Sequence, residues 1–247
     1  MKNLTDKIVL ITGGNSGIGY ATAKEFLENG ATTIITGRRK QAIEEAAARI
    51  GGQAMVADQS KVADIEHLAE EIKRQYGKLD VLFINAGITG EASLISDAQE
   101  DNFDHVMDIN LKGAYFTLSK LIPLLQDGAS VIFLSSNVAS MNKPQSSVYQ
   151  ASKAALNTIA KTAALELADR KIRVNTVSPG PTRTAVLNKS YDSQTADGIW
   201  DDLAQVLPLK KIGIPEDVAK MVVYLASDAA SFITGSDFVI DGGMKIS

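Results

Sequence analysis

Short β-branched apolar runs alternate along this chain with longer segments of helical pattern, and this alternation limits the possible folds more than any other feature. The apolar runs lie at residues 8–11, 32–36, 81–84, 131–134, 172–177 and 238–240. Such runs are typical of strands buried on both faces, as in a parallel sheet. The intervening segments, rich in Ala, Leu, Glu and Lys, lie at 17–28, 38–49, 62–76, 102–125, 148–168 and 216–226. This order predicts an α/β fold: a doubly wound parallel sheet of about seven strands with helices on both faces.

A single domain over residues 1–247 is the simplest organisation for this pattern. The chain is 45% hydrophobic and 22% charged, which is ordinary for a globular protein. No linker rich in Pro or Ser, low-complexity segment or fixed-period repeat marks a domain boundary.

The stretch 184–211 breaks the alternation. It contains polar turn residues and a short amphipathic piece at 199–207. Insertions at the carboxyl edge of such a sheet usually cover a ligand crevice, so we interpret this stretch as a substrate lid. A passive surface loop is the alternative.

Charge and cysteine usage exclude several classes of function. The chain has 25 basic and 29 acidic residues and a net charge of −4, without the Lys/Arg block that nucleic acid or an anionic membrane would require. It has no cysteine, which excludes disulfides, thiolate zinc sites and a cysteine nucleophile. The two histidines, His67 and His105, are isolated, so we predict structural roles for them and no metal site.

We expect a cytoplasmic protein. Residues 1–7 lead directly into the apolar run 8–11, which is too short for the core of a signal peptide, and no apolar stretch is long enough to span a membrane.

A glycine-rich turn, Thr-Gly-Gly-Asn-Ser-Gly-Ile-Gly at 12–19, follows the first predicted strand and opens the first predicted helix. Glycines in this context permit a tight turn, close approach of a pyrophosphate and packing of the helix on the strand. The helix amino terminus adds free N–H groups and a partial positive charge. We therefore predict a dinucleotide site, with contacts from Gly13, Asn15, Ser16, Gly17, Ile18 and Gly19. A purely structural turn is the alternative.

The end of the second predicted strand indicates which dinucleotide is bound. An NAD site carries an acidic residue about 20 residues past the glycines, but Gly37 stands there and is followed by Arg38 and Arg39. Charge-assisted hydrogen bonds from these arginines to a 2′-phosphate would favour NADP(H), with NAD(H) still possible. The alternative is that both arginines are solvated residues that begin the next helix.

Tyr149 and Lys153 lie four residues apart and thus on one face of a predicted helix. A nearby ammonium favours the phenolate form of tyrosine, which lowers its pKa toward the range in which it exchanges a proton with an alcohol or carbonyl oxygen. An ordinary surface pair is the alternative.

Together these motifs closely resemble those of the short-chain dehydrogenase/reductase family, over essentially the whole chain. Further positions match the family's pattern: Asp58, Asn85-Ala86-Gly87, Asn110, Ser135-Ser136, Pro179-Gly180, Thr182, Thr184, Ile233-Thr234-Gly235 and Asp241-Gly242-Gly243. Gln59 lies beside the matching Asp58. The resemblance implies a Rossmann-type fold and an NADP-dependent oxidoreductase that acts on a carbonyl or secondary alcohol.

The resemblance also implies roles for these residues. Tyr149 would be the general acid and base, Ser136 would orient the substrate oxygen, and Lys153 would bind the nicotinamide ribose and lower the pKa of Tyr149. Asn110 would hold a water that links the lysine to solvent. The expected cofactor contacts further along the chain are Asp58 and Gln59 at the adenine end, then Asn85, Ala86 and Gly87, and at the nicotinamide Pro179, Gly180, Thr182 and Thr184.

Two departures from the family's pattern bear on specificity. Ser16 stands where many NADP-using relatives carry a basic residue, so a 2′-phosphate depends on Arg38, with Arg39, Asn15 or Ser16. The stretch 137–147 is more polar than is common. The resemblance leaves several substrate classes open: an oxoacyl thioester, a steroid, a sugar or a small ketone.

Two alternative functions remain on this scaffold. One is a cofactor-binding redox sensor without turnover, and the other is a dehydratase or epimerase. Members of the family are commonly homotetramers.

Overall fold

The computed structural model of the protein describes residues 4–185, 187 and 192–247. Its centre is a sheet of seven parallel strands in the order β3-β2-β1-β4-β5-β6-β7. The strands are β1 (Ile8–Thr12), β2 (Thr32–Gly37), β3 (Gln53–Val56), β4 (Leu79–Ile84), β5 (Leu125–Leu134), β6 (Arg173–Pro179) and β7 (Asp237–Ile240). The predicted doubly wound Rossmann-type sheet is confirmed.

Helices cover both faces of this sheet. They are α1 (Gly17–Glu28), α2 (Lys40–Ile50), α3 (Val62–Gln75), α4 (Glu100–Met107), α5 (Ala114–Leu121), α6 (Ser147–Glu166), α7 (Ser193–Val206) and α8 (Pro215–Ala226). Apolar residues of α1, α2 and α8 form one core with the sheet, and those of α3, α5 and α6 form the other. In the described part of the chain no helix is long and apolar enough to cross a membrane.

Strand β1 shows why the central strands are continuously apolar. Successive side chains on a strand point to opposite faces. Leu10 accordingly belongs to the core under α3, α5 and α6, whereas Val9 and Ile11 belong to the core under α1, α2 and α8, and all three are fully buried. Both faces therefore require apolar side chains, which removes the alternation seen in half-exposed strands.

The single helix predicted at 102–125 is wrong in its bounds and in its continuity. The helical region begins at Glu100, changes to a π-helical segment at Asp108–Gly113 and resumes as α5, and Leu125 already belongs to β5. Pro123 explains the end, because it lacks the backbone N–H that would continue the hydrogen bonds of α5, and Ile122–Leu124 form a 3₁₀ turn instead. The π-helical segment is a local widening that periodicity does not reveal.

Two further elements differ from the sequence prediction. Strand β3 is not among the apolar runs, because it lies at the edge of the sheet and is only partly buried. Helix α7 begins at Ser193, earlier than the predicted piece at 199–207, and the Asp192 carboxylate caps it by accepting the Thr195 N–H at 3.1 Å. Residues 186 and 188–191 of the predicted lid lie outside the described residues.

Candidate active site

The glycine-rich turn lies at the carboxyl end of β1. Gly13 and Gly17 have φ of +67° and +55°, a region that side chains other than glycine rarely adopt. A Cβ atom at Gly19 would lie 2.5 Å from both the Gly13 carbonyl oxygen and Asn85 Nδ2. The turn can therefore pack this closely against α1 and β4 only with glycine at these positions.

Asn85 holds the glycine-rich turn in place. Its Nδ2 donates to the carbonyl oxygens of Thr12 at 2.8 Å and Gly13 at 3.1 Å, and its own N–H donates to Thr12 Oγ1 at 3.0 Å. The side chain is 9% exposed. These contacts join the ends of β1 and β4, which makes Asn85 a support for the turn.

The amino terminus of α1 presents N–H groups at this turn. Ser16 is the N-cap residue, but its side chain makes no capping hydrogen bond. A Cβ atom at Gly17 would lie 3.4 Å from Thr184 Cγ2. The segment after β6 therefore approaches the glycine-rich turn from across the carboxyl edge of the sheet, as predicted for two parts of one crevice.

The end of β2 lies beside Asp58. Gly37 is partly buried, whereas Arg38 and Arg39 are exposed. Burial alone would raise the pKa of Asp58, but hydrogen bonds from Ser60 and the charge of Arg38 outweigh it and lower that pKa. Arg38 and Asp58, predicted from separate motifs, thus belong to one end of the crevice.

Gln59 has an internal role that the sequence did not indicate. Its Nε2 donates to the carbonyl oxygens of Ala86 at 3.1 Å and Ile109 at 3.0 Å, and its Oε1 is buried without a hydrogen-bond partner in the described part of the chain. Its backbone oxygen leaves no room for a side chain at Gly113. Gln59 therefore joins β4 to the π-helical segment.

Tyr149 and Ser136 are brought together although they belong to different elements. Ser136 follows β5, and Tyr149 lies in the first turn of α6. Ser136 Oγ accepts the Val138 N–H at 3.4 Å. Burial raises the pKa of Tyr149 above its ordinary value, and the neighbouring Ser136 hydroxyl only partly offsets this rise. The direction is opposite to the sequence-based expectation.

Lys153, which was expected to lower the pKa of Tyr149, is itself buried. Its ammonium lies 5.9 Å from the centroid of the Tyr149 ring and donates to the Leu134 carbonyl oxygen at 2.7 Å. The residue is 3% exposed, and burial lowers the pKa of Lys153 to about 8. Loss of solvation therefore dominates the titration of both groups in this site.

Asn110 is fully buried within the π-helical segment. Its Oδ1 accepts the Ile88 N–H at 2.8 Å, and its Nδ2 donates to the Ile88 carbonyl oxygen at 2.8 Å and to Ser152 Oγ at 3.1 Å. A Cβ atom at Gly87 would lie 3.1 Å from Asn110 Oδ1 and 3.3 Å from Lys153 Nζ. Asn110, Gly87 and Lys153 thus lie close together.

The segment after β6 closes the other side of the crevice. Pro179 is buried at the end of β6, and Thr182 Oγ1 donates to the Gly180 carbonyl oxygen at 3.1 Å. Arg183, between the two predicted threonine contacts, forms ion pairs with Asp197 at 3.1 Å and Asp201 at 3.4 Å. These acids lie on α7, so the ion pairs tie the lid helix to this segment.

The sequence analysis missed two polar residues beside Ser136. Asn137 is buried, and its Nδ2 lies 3.5 Å from Asp241 Oδ2. Asp241 was noted only as part of a carboxyl-terminal motif, and no local pattern indicates that it lies near residue 136. The described residues contain no group of three or more His, Cys, Asp or Glu side chains that could hold a metal ion.

Known proteins with this sequence pattern identify the family. A family model described as enoyl-(acyl carrier protein) reductase matches residues 13–245. The chain is 34% identical to a solved structure described as a short chain dehydrogenase/reductase family protein, with a TM-score of 0.86 and 100% of both chains covered. The protein belongs to the short-chain dehydrogenase/reductase family. It is an oxidoreductase of that family, whose members bind nicotinamide cofactors and act on small molecules.

Two relatives show the range of activities on this scaffold. The chain is 36% identical to the 3-oxoacyl-[acyl-carrier-protein] reductase FabG of Thermotoga maritima, with 98% of this chain and 99% of that protein covered. It is 35% identical to the NADP-dependent (R)-specific alcohol dehydrogenase of Lentilactobacillus kefiri, with 97% of each covered. Relatives of nearly equal similarity thus carry different substrate names.

Proposed function

We propose that this protein transfers hydride between NADP(H) and a carbonyl or secondary-alcohol substrate, with Tyr149 as the general acid and base. The observation that carries the proposal is the placement of Ser136 and the buried ammonium of Lys153 beside Tyr149. A buried lysine without an acidic partner costs stability. Its presence beside a tyrosine and a serine at the carboxyl edge of a doubly wound sheet supports a catalytic role.

The residues at this edge fit a dinucleotide. Close contacts at Gly13 and Gly19 and the positive φ of Gly17 disfavour side chains in this turn, and the uncapped start of α1 offers N–H donors to a pyrophosphate. Asn15, Ser16 and Ile18 belong to the same turn. We assign the adenosine end to Gly37, Arg38, Arg39 and Asp58.

The remaining cofactor contacts lie toward the nicotinamide end. We assign the middle of the cofactor to Ala86 and Gly87, and the nicotinamide end to Lys153, Pro179, Gly180, Thr182 and Thr184. Bound NADPH supplies the hydride, and NADP⁺ accepts it in the opposite direction. We propose Gln59 and Asn85 as further cofactor contacts, whose amides also hold the backbone around this site.

The side chains of the site supply the proton and hold the substrate. Tyr149 donates its phenolic proton to the carbonyl oxygen during reduction and takes it back during oxidation. Ser136 donates a hydrogen bond to the same oxygen and fixes its direction. Lys153 holds the ribose and stabilises the phenolate as it forms. Because the side-chain polar atoms of Asn110 bind Ile88 and Ser152, we assign the water that links Lys153 to solvent to the backbone of the π-helical segment.

The lid and the assembly complete the proposal. We propose that the segment 184–211, including α7 with its buried Trp200, covers the substrate. We also propose a cytoplasmic homotetramer. Phe103, Tyr115 and Leu165, on α4, α5 and α6, are 46%, 51% and 81% exposed, respectively, and such exposed apolar side chains support an interface there.

An absorbance assay tests the function. NADPH oxidation is followed with a panel of small ketones, 3-oxoacyl thioesters, quinones and sugars. We expect steady turnover of at least one class, with kcat in the ordinary range of about 1–10³ s⁻¹. Tight NADPH binding without oxidation across the whole panel would contradict the proposal and would point to a regulatory protein.

Gly37→Asp is expected to reverse the cofactor preference. A Cβ atom at Gly37 would meet only ordinary contacts, with Ile43 Cδ1 at 3.5 Å and Asn15 Oδ1 at 3.6 Å, so the backbone tolerates the change. The new carboxylate would repel a 2′-phosphate and accept a hydrogen bond from a 2′-hydroxyl. We expect the ratio of kcat/KM for NADPH to that for NADH to fall by about 10²-fold, which corresponds to roughly 3 kcal/mol.

Gly37→Asn is the matched control for this change. It has nearly the same size as aspartate and no charge, so we expect it to move the ratio by less than about fivefold. Equal ratios in both variants and the wild type would show that this position does not face the 2′ group.

A further inference from the structure

The carboxyl-terminal turn, residues 241–246, is closed by the carboxylate of Asp241. Asp241 Oδ1 accepts the Gly243 N–H at 2.9 Å, and Oδ2 accepts the Lys245 N–H at 2.9 Å. Gly242 and Gly243 have φ of +64° and +89°, which lets the chain reverse directly after β7. The carboxylate is therefore the group around which this turn forms.

The same turn contacts the segment that carries the proposed catalytic serine. Asn137 follows Ser136 directly and is only 3% exposed. Its Nδ2 lies 3.5 Å from Asp241 Oδ2 and 3.5 Å from Met244 Sδ. Two residues of the carboxyl-terminal turn thus hold the side chain next to Ser136.

Gly180 marks where this contact meets the proposed nicotinamide segment. The Gly180 N–H donates to the Ile240 carbonyl oxygen at 2.9 Å. A Cβ atom at Gly180 would lie 2.5 Å from Asp241 Cβ and 3.2 Å from Asn137 Nδ2. Three segments therefore meet at Gly180 and leave no room there for a methyl group. They are the segment with Ser136 and Asn137, the segment after β6 and the carboxyl-terminal turn.

The turn also touches the end of the proposed lid. The Leu209 N–H donates to the Gly242 carbonyl oxygen at 3.1 Å, and a Cβ atom at Gly243 would lie 2.9 Å from Pro208 Cγ. Movement of the lid end is thus connected through a few direct contacts to Asp241 and Asn137.

We propose that Asp241 is a positioning residue that, through Asn137, aligns Ser136 with the nicotinamide segment and couples both to the lid. The proposal rests on the proposed role of Ser136. Displacement of a reacting group by about 1 Å can lower a rate about 10²-fold. A contact to Asn137, the residue after Ser136, can therefore change the turnover rate. Asp241 does not itself touch the reacting atoms.

The chemistry of the contact explains why a carboxylate is suited to it. The groups that face the Asp241 oxygens are all donors, namely two backbone N–H groups and the Asn137 amide. A carboxylate accepts from all of them, whereas an amide has one oxygen and presents its own N–H groups to a donor. Asp241→Asn therefore keeps the shape of the side chain but places an N–H group opposite a hydrogen-bond donor.

The test compares Asp241→Asn, Asn137→Ala and the double variant. For Asp241→Asn we expect kcat to fall about tenfold, while the Kd for NADPH changes less than about twofold. The double variant should be no slower than the slower single variant, because both changes break the contact between Asn137 and Asp241 on which the alignment depends. The exchanged pair Asn137→Asp with Asp241→Asn, which restores a donor and an acceptor, should recover part of kcat.

Asp237→Asn is the matched control. Asp237 accepts from Thr176 Oγ1 at 2.8 Å and Ser178 Oγ at 2.6 Å, and it lies at the opposite end of β7. We expect a lower Tm with kcat within about twofold, because these hydrogen bonds support β6 and involve neither Asn137 nor Ser136.

The outcomes separate this inference from the proposed function. Any of three results would overturn the role of Asp241: an unchanged kcat in Asp241→Asn, additive losses in the double variant, or an equal loss of kcat in Asp237→Asn. If Asp241→Asn does not fold, Asn137→Ala provides the test. A wild-type protein that oxidises no NADPH with any carbonyl contradicts the proposed function, and this inference with it. A wild-type protein with normal turnover that is insensitive to both residues contradicts this inference alone.

Discussion

Tyr149→Phe is expected to lower kcat for carbonyl reduction by about 10²–10⁴-fold, the usual contribution of a positioned general acid. The change removes one hydroxyl group and keeps the ring, so the Kd for NADPH should stay within about twofold. Because burial raises the pKa of Tyr149, the phenol stays protonated throughout the neutral range, which suits the donor in reduction. The measurement is steady-state NADPH oxidation together with cofactor binding followed by nicotinamide fluorescence.

Tyr224→Phe is the control for this substitution. Tyr224 lies on α8, and its hydroxyl donates to the Ala229 carbonyl oxygen at 3.5 Å on the exposed side of the helix. The same chemical change there should leave kcat within about twofold. Turnover of Tyr149→Phe within fivefold of the wild type would refute the role of Tyr149.

Lys153→Met is expected to abolish turnover and at the same time to stabilise the fold. At pH 7 the wild type must keep an ammonium ion in a site that lowers its pKa to about 8, a cost of about 3 kcal/mol relative to the unfolded chain. Methionine removes this cost but leaves the Leu134 carbonyl oxygen without the donor that now binds it at 2.7 Å, a loss of about 1–2 kcal/mol. We expect a net increase of about 1–2 kcal/mol in the free energy of unfolding.

The gain in the free energy of unfolding from Lys153→Met should depend on pH. Below pH 8 the lysine is protonated in both the folded and the unfolded protein, and the full cost is present. Between about pH 8 and the ordinary lysine value near 10.5, the unfolded chain binds more protons than the folded one, so wild-type stability rises with pH. The advantage of Lys153→Met should therefore be largest below pH 8 and shrink toward pH 10.5, as measured by denaturant unfolding.

Lys161→Met controls for the chemical change itself. Lys161 lies on the exposed side of the same helix, α6, where such a substitution usually changes stability by less than about 0.5 kcal/mol. A Lys153→Met variant that is less stable than the wild type would contradict the proposed cost of burying the Lys153 ammonium. A variant that retains normal turnover would contradict the catalytic role of Lys153.

Local patterns in the sequence were enough to predict the architecture and most of the candidate site. The apolar runs predicted the central strands, and the glycines at 13, 17 and 19 predicted a turn whose φ angles and close contacts the structure displays. The spacing of Tyr149 and Lys153 predicted one helix face. These predictions succeed because they depend on residues a few positions apart, where the geometry of a helix, strand or turn is set by the chain itself.

Features that depend on three-dimensional surroundings were not visible in the sequence. Gln59 remains a predicted cofactor contact, but the sequence did not show that its amide holds Ala86 and Ile109. The break at Asp108–Gly113 was hidden inside a continuous helical pattern. In both cases the deciding contacts come from segments far along the chain.

The sequence by itself determined the doubly wound sheet, the glycine-rich turn at the end of β1 and the identity of the residues that carry the proposed chemistry. Only the tertiary structure decided how those residues titrate and what supports them. Lys153 and Tyr149 are desolvated in the folded chain, where Lys153 on α6 contacts Leu134 at the end of β5, and Asp241 reaches Asn137 across 104 positions of sequence. Solvation and long-range contact depend on which segments meet in space, and a linear pattern does not contain that information.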